Sequence, residues 1–273
     1  MRINTNMAAL NAWRALVTNN SAMTKSLEKL SSGYRVNRAA DDAAGLAVSE
    51  KMRSQIRGLN MAVRNAQDGV SLVQTAEGGA QKIQDMLQRM RELAVQAANG
   101  TLTNDDKALL DKEFQQLIEE VTRTAESTTF NNQGLLNTSS AISIQVGPNA
   151  GTADSISITL ADLRASAVSV AISALSISTA TAALSAIDAL DDAITHLSKV
   201  RADFGALQNR LESAIETLRI QSENLTAAES RIRDVDMAQE MATFTKYQIL
   251  QQASTAMLAQ ANMSTQSILS LLR

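Results

Sequence analysis

Large apolar residues return every three or four positions along most of this chain, which is the period of one face of an α-helix. The first stripe, Leu10, Trp13, Leu16, Val17, Met23, Leu27, Leu30 and Tyr34, predicts a helix through residues 1–34. Asn20 stands in it where a larger apolar residue belongs. At ~1.5 Å per residue such a helix reaches ~50 Å, too long and thin to bury its stripe alone. It needs a partner. Ser31-Ser32-Gly33 punctuates its end, and Asn37 or Asp41 can cap the next helix by accepting an otherwise unpaired backbone N–H. Asp41 and Asp42 also suit the positive end of a helix dipole. From Leu46 a second stripe runs through Met52, Ile56, Leu59, Val63, Ala66, Val70, Val73, Ala80, Ile83, Leu87, Met90 and Leu93. Gly78-Gly79 weakens it by ~1 kcal/mol per glycine relative to alanine, and a bend or a close backbone approach is the natural consequence.

Asn99-Gly100 stops that helix, and Thr103-Asn104-Asp105-Asp106 offers a fresh cap ahead of Leu110, Phe114, Leu117 and Val121. Residues 43–98 and 105–127 therefore predict an antiparallel helical hairpin. Phe130–Asn137, F-N-N-Q-G-L-L-N, is rich in turn formers. The period then changes to two. Ile142, Ile144 and Val146 alternate with polar residues, Gly147–Gly151 makes a turn, and Ile156, Ile158 and Leu160 alternate beyond it, predicting a β-hairpin over about 141–161. Residues 165–183, mostly Ala, Ser, Val, Ile and Thr, carry no clear period. Leu190, Ile194, Leu197, Phe204, Leu211, Ile215, Leu218, Leu225 and Ile232 then predict a helix over about 184–232, with the seven-to-eight spacing of a coiled coil. The last stripe, within 234–273, is Met241, Phe244, Tyr247, Leu250, Met257, Leu258, Ala261, Ile268, Leu271 and Leu272. Small residues in its middle (Ser254, Ala261, Ser264, Thr265) let two helix axes come close. First and last stripes match in length and are natural partners. The expected fold class is mainly α: a long antiparallel coiled-coil or helical-bundle rod with a small β-hairpin region in the middle of the chain.

Composition sharpens this picture. Aromatic residues are 3% of the chain, and proline occurs once, at Pro148. Few rings and much Ala, Ser, Leu and Gln suit long helices packed along their length. A formal charge of −3 implies no general attraction to nucleic acid. The first sixty residues carry nine Lys/Arg against four Asp/Glu, which reads as a solvated helix face. Without cysteine, disulfides, thiol chemistry and cysteine-ligated metals are excluded. Met1–Leu16, interrupted by Arg2, Asn4, Asn6, Asn11 and Arg14, forms no secretory signal core. No run approaches the ~18 apolar residues of a membrane span. His196 is the only histidine, and there is no H-E-x-x-H motif or phosphate-cradling glycine loop. No catalytic site, cofactor or metal is expected. The pairs Asp41/Asp42, Asp105/Asp106 and Asp191/Asp192 each fall near an expected helix start, where capping accounts for them.

Two phrases carry a family resemblance. Asn37–Leu46, N-R-A-A-D-D-A-A-G-L, with the S-E-K-M-R-S-Q-I-R-G-L that follows, resembles the signature of bacterial flagellin. Phe130–Asn137 is near-identical to a phrase that follows the second shaft helix in that family. The resemblance covers most of the chain at both ends and implies a short flagellin without inserted outer domains. It implies a structural subunit that polymerises into the flagellar filament, the propeller for swimming. Residues 1–36 and 234–273 would be the two halves of the filament core, and 37–233 the surrounding shaft. The polymerisation interface would comprise Leu10, Trp13, Leu16, Val17, Met23, Leu27 and Leu30 with Phe244, Tyr247, Leu250, Met257, Leu258, Ile268 and Leu272. The two terminal helices would pair and order on assembly.

Further expectations follow from the same resemblance. They are secretion through the flagellar type III export apparatus, a chaperone on the C-terminal helix, filament cap and hook-associated proteins as partners, and an extracellular location. Leu87–Gln96, L-Q-R-M-R-E-L-A-V-Q, is similar to the segment by which flagellins engage a host Toll-like receptor, implying contacts at Arg89, Leu93 and Glu113. Ser267–Arg273 resembles the tail read by cytosolic immune sensors, with Leu269, Leu271 and Leu272 as anchors. Neither nucleic acid nor membrane insertion is implied. The alternative readings are a hook–filament junction protein or a secreted coiled-coil adhesin.

Overall fold

The computed structural model describes residues 6–166 and 172–271, with side chains as far as Ser264. The described residues are mainly α, as the stripes predict, in helices α1 (Met7–Ser32), α2 (Ala43–Ala98), α3 (Asn104–Ser127), α4 (Ala180–Arg233) and α5 (Met237–Leu271). Between α3 and α4 lie two antiparallel strand pairs, β1 (Thr129–Phe130) with β2 (Gln133–Gly134) and β3 (Ala141–Gln145) with β4 (Ser155–Thr159). The chain divides into two compact units, Arg57–Ser222 and the pair of segments Met1–Ile56 and Glu223–Arg273.

Within Arg57–Ser222 the core is a continuous apolar seam. It takes Ala66, Val73, Ala80, Ile83, Leu87, Met90 and Ala97 from α2, Phe114, Val121 and Ala125 from α3, and Ala183, Leu190, Ala193, Leu197, Phe204 and Leu211 from α4. Alanines alternate with Leu, Ile and Phe, so the helices approach closely without many rings. α3 opens on a capping box: the Asp106 N–H donates to the Thr103 hydroxyl (3.3 Å), and the Thr103 N–H donates back to the Asp106 carboxylate (3.1 Å). That box is what Thr103-Asn104-Asp105-Asp106 predicts.

The glycine pair leaves α2 unbroken. Gly78 faces open space, whereas a Cβ on Gly79 would lie 2.7 Å from both Leu136 Cδ1 and Thr128 Oγ1. The close approach is thus real and belongs to Gly79. What presses on it is Leu136 of the F-N-N-Q-G-L-L-N phrase together with Thr128 just ahead of that phrase. Asn131 and Asn132 adopt positive φ (49° and 61°) between β1 and β2, the two-residue turn whose twist suits a hairpin. Behind the turn, Leu135 and Leu136 are fully buried.

The second hairpin pairs Ile142 with Ile158 and Ile144 with Ile156, so its apolar sides share one face. Within the stretch 165–183, unreadable by period, Leu175, Ser176 and Ile177 are held by α3. Asp111 Oδ1 accepts from the Ile177 N–H (2.7 Å) and the Ser176 hydroxyl (3.0 Å), and Gln115 donates to the Leu175 carbonyl (2.8 Å). Ile172 and Ile177 are buried there, while 167–171 lie outside the described residues. α4 begins at Ala180 rather than near 184, because Thr179 caps it by accepting from the Ala182 N–H (3.3 Å).

In the other unit, α1 starts on Asn6, whose side chain accepts from the Ala9 N–H, and ends on Gly33 at φ 74°, a left-handed stop that favours glycine. The chain then pairs with the end of α4: the Arg35 N–H donates to the Arg233 carbonyl (2.7 Å), and the Val235 N–H donates to the Gly33 carbonyl (3.0 Å). The Arg233 guanidinium lies 4.7 Å from the centre of the Tyr34 ring, a cation–π contact.

The cap of α2 is neither Asn37 nor Asp41 but Asp42, which accepts from the Gly45 N–H at 2.8 Å. Asp41 turns back to accept from the Arg38 N–H (3.1 Å), and Asn37 donates to Glu28 (2.9 Å). The Arg38 hydrogen bond, chiefly, holds the Asp41 carboxyl below the ordinary aspartate range. Sequence spacing points to Asn37 or Asp41 and cannot single out Asp42, which stands beside Asp41 with the same side chain. Asp191 and Asp192, expected near a helix start, instead lie well inside α4, and Asp191 pairs with Arg91 of α2 at 2.6 Å.

Candidate functional site

α1 and α5 pack antiparallel, with polar contacts that include Asn6 Nδ2 to the Ala261 carbonyl (2.9 Å), Asn19 Nδ2 to Ser254 Oγ (3.0 Å), and Ser26 Oγ to Glu240. The positions turned inward on α1 are Ala9, Ala12, Leu16, Asn19, Met23, Ser26 and Leu30; on α5 they are Glu240, Phe244, Tyr247, Gln251, Ser254, Leu258 and Ala261. Both sets alternate steps of three and four, a heptad seam. The seam is thin. Ser26 is the only buried residue of α1, and among the described residues α5 has none.

The structure therefore splits the predicted interface residues into two sets. Leu16, Met23, Leu30, Phe244, Tyr247 and Leu258 are half-buried in the seam. Leu10, Trp13, Val17 and Leu27 form a second stripe one residue further along, about 100° around α1, and are exposed, Trp13 at 55%. Leu250 and Met257 are exposed on α5, Met257 at 65%. Side-chain contacts of Ile268, Leu269 and Leu271 fall outside the described residues, and so does Leu272 altogether.

Reasoning from one stripe missed Met7, Met237, Ile249 and Met263, all exposed. On α5, Met237 and Met241 flank the seam on one side, Leu250 and Met257 on the other, and Ile249 lies nearly opposite it, at about 100° per residue. Its apolar groups go all the way round, the mark of a helix meant to be surrounded. Tallying apolar residues on every face of α5, rather than seeking one stripe, would have found Met237, Ile249 and Met263.

The residues singled out for host sensing sit elsewhere, in α2 and α3. Arg89 bridges Glu113 at 3.0 Å and Glu92 at 3.1 Å, and its pKa is raised, first by the Glu92 hydrogen bond and then by Glu113. Leu93, at 1% exposure, belongs to the core, leaving Arg89 and Glu113 as the surface members of the set. His196 is half-buried in α4 with Nδ1 unpartnered. Among the described residues no cluster of three or more His, Asp or Glu side chains could hold a metal, and no helix is long and apolar enough to cross a membrane.

A paired terminal-helix seam flanked by bare apolar stripes calls for comparison with polymer-forming chains. Residues 3–141 match the bacterial flagellin N-terminal helical region, and residues 187–272 match the bacterial flagellin C-terminal helical region. The chain belongs to the bacterial flagellin family. A flagellin of Halalkalibacterium halodurans is 54% identical over 274 residues, covering all of both chains. A flagellar filament 33 kDa core protein of Treponema phagedenis is 48% identical over 292 residues, again covering both chains fully. The crystal structure of Bacillus cereus flagellin superposes with a TM-score of 0.51 at 32% identity, covering 61% of this chain and 94% of that one. Flagellins are structural proteins, and the matched family regions include both terminal helices, where the exposed apolar groups lie.

Proposed function

We infer that this chain is the structural subunit of the bacterial flagellar filament and polymerises with copies of itself. The observation that carries the reading is the α1–α5 pair, whose large apolar side chains stay uncovered on faces outside its own seam. Free subunits seldom expose so much contiguous apolar surface unless a partner covers it. Contacts between different faces of identical copies run on as an open helix wherever the rotation from copy to copy does not close into a ring, and the filament reading takes that case. In this assignment residues 1–36 and 234–273 form the filament core and 37–233 the shaft. Trp13, Val17, Leu27, Leu250 and Met257 contact neighbouring subunits, while Leu16, Met23, Phe244, Tyr247 and Leu258 hold the pair together. The pair gains its full order only when neighbours add burial, since so thin a seam offsets little of the entropy of ordering two long helices.

The subunit is secreted through the flagellar type III apparatus, with a chaperone shielding the exposed faces of α5 before export and the cap and hook-associated proteins bounding the filament. Arg89 and Glu113 are the host Toll-like receptor contacts in the free subunit, and Leu269, Leu271 and Leu272 are those of the cytosolic sensors. A hook–filament junction role is disfavoured by full-length identity to filament proteins. The test is seeded growth. Purified subunit and short filament fragments are followed by light scattering and electron microscopy beside a variant lacking residues 234–273. Long filaments from the intact chain alone support the reading; no growth from the intact chain ends it.

A further inference from the structure

The bare faces of the terminal helices are rich in one oxidisable group. Of the chain's 11 methionines, Met7 on α1 and Met237, Met241, Met257 and Met263 on α5 are all 49% exposed or more. Met90, by contrast, is fully buried in the core, and Met23, Met52 and Met86 are half-buried. Met61, on α2, is exposed as well and lies against the Arg64 guanidinium. With no cysteine in the chain, these thioethers meet a two-electron oxidant without a thiol to intercept it.

We propose that Met7, Met237, Met241, Met257 and Met263 form an oxidation-sensitive modification site, at which hydrogen peroxide converts the free subunit into a form that cannot join the filament. The inference rests on the reading of the α1–α5 pair as the polymerising surface. The peroxide O–O bond breaks, one oxygen bonds to sulfur, which gives up two electrons, and the other oxygen leaves as water. A flexible apolar side chain becomes a polar sulfoxide whose oxygen needs a hydrogen-bond donor. In water the change costs nothing. Against a neighbouring subunit's apolar side chains it leaves that oxygen unpaired, the penalty that keeps polar groups out of dry interfaces. The site acts only before assembly, because neighbours cover it afterwards. It is also reversible: methionine sulfoxide reductases return the thioether with two electrons from a dithiol, which closes to a disulfide while the oxygen departs as water.

The experiment treats full-length subunit with hydrogen peroxide, locates sulfoxides by peptide mass spectrometry and measures seeded growth. A companion variant carries Met7→Leu, Met237→Leu, Met241→Leu, Met257→Leu and Met263→Leu, since Leu and Met exchange with little loss of packing. Expected are oxidation of the five and of Met61 ahead of Met90, and growth of the treated subunit lowered about tenfold or more. The treated Leu variant should keep its untreated rate although its Met61 is oxidised. Reductases of both stereospecificities with dithiothreitol should restore the treated native chain. Undiminished growth with the five fully oxidised overturns the proposal, as does equal slowing of the treated Leu variant. If the Leu variant fails to assemble untreated, reductase rescue decides, and growth that stays low after the sulfoxides are removed counts against the site. Failure of the untreated native chain to grow sinks the polymerisation reading itself and the site with it, a result that needs no oxidant and so cannot be mistaken for the others.

Discussion

The α1–α5 pair and the α2–α3–α4 core are built from the same heptad grammar and end at opposite levels of burial. In the core, α3 alone buries Phe114, Ile118, Val121 and Ala125, and Leu87, Met90 and Leu93 of α2 are covered almost completely. In the terminal pair six large residues (Leu16, Met23, Leu30, Phe244, Tyr247 and Leu258) share the inward positions with Ala, Asn, Ser, Gln and Glu and are only half-buried, while Trp13, Val17, Leu27 and Met257 stay exposed. One region spends its hydrophobic residues on its own fold. The other keeps them for contacts the isolated chain does not supply. Burial per helix, not helix length or period, separates structure that stands by itself from structure waiting for company.

The sharpest way to break this contrast is hydrogen exchange on the free subunit. Amides of α2 between Ile83 and Ala97 should exchange about a thousandfold more slowly than those of α5 between Phe244 and Leu258, because only the former require global opening. Equal protection would mean that the terminal pair is stable alone. Next in size, Phe114→Ala should cost about 3–5 kcal/mol in denaturant unfolding. Trp13→Ala should cost less than about 0.5 kcal/mol there, yet stop seeded growth. A Trp13 variant that unfolds as easily as the Phe114 variant would erase the distinction.

Gly79→Ala should lose about 1–3 kcal/mol, since its Cβ meets Leu136 and Thr128, whereas Gly78→Ala should gain up to about 1 kcal/mol. The smallest effect is acid sensitivity. The Thr103 hydrogen bonds lower the Asp106 pKa, and the Arg91 hydrogen bond lowers that of Asp191. A carboxyl depressed in the folded state adds stability above its ordinary pKa, about 3.8, and loses it as pH falls through the folded value. Acid titration followed by circular dichroism should therefore show a slight core weakening below pH 4 that Asp106→Asn and Asp191→Asn, both constitutively uncharged, reduce.

Much of the fold was legible because its signals are local. Thr103 and Asp106 write a cap in four letters, and Ile142, Ile144, Ile156 and Ile158 write a hairpin by alternation. What escaped was set by distant partners. Nothing near Ile177 announces that Asp111, 66 positions earlier, will hold its backbone. Nor does counting large apolar residues separate Leu16 from Val17, because the true seam of α1 runs through Ala9, Ala12, Asn19 and Ser26, residues that a search for bulk passes over. Leu93 stands both on the apolar stripe and in the phrase that resembles a receptor contact, and the structure follows the stripe.

The polar pins between α1 and α5 have a consequence for length control. A heptad seam keeps its period after a slip of seven residues, and such a slip moves one helix ~10 Å along the other. Asn19 and Ser26 find the Ser254 and Glu240 side chains in this alignment, where Asn6 meets the Ala261 carbonyl. A misaligned copy would strand those groups, as a polar residue at a coiled-coil core position does when it meets the wrong partner. In an array of repeated copies a misfit of that size would propagate from each layer to the next. Those few hydrogen bonds act as the gauge marks by which every copy is cut to the same measure.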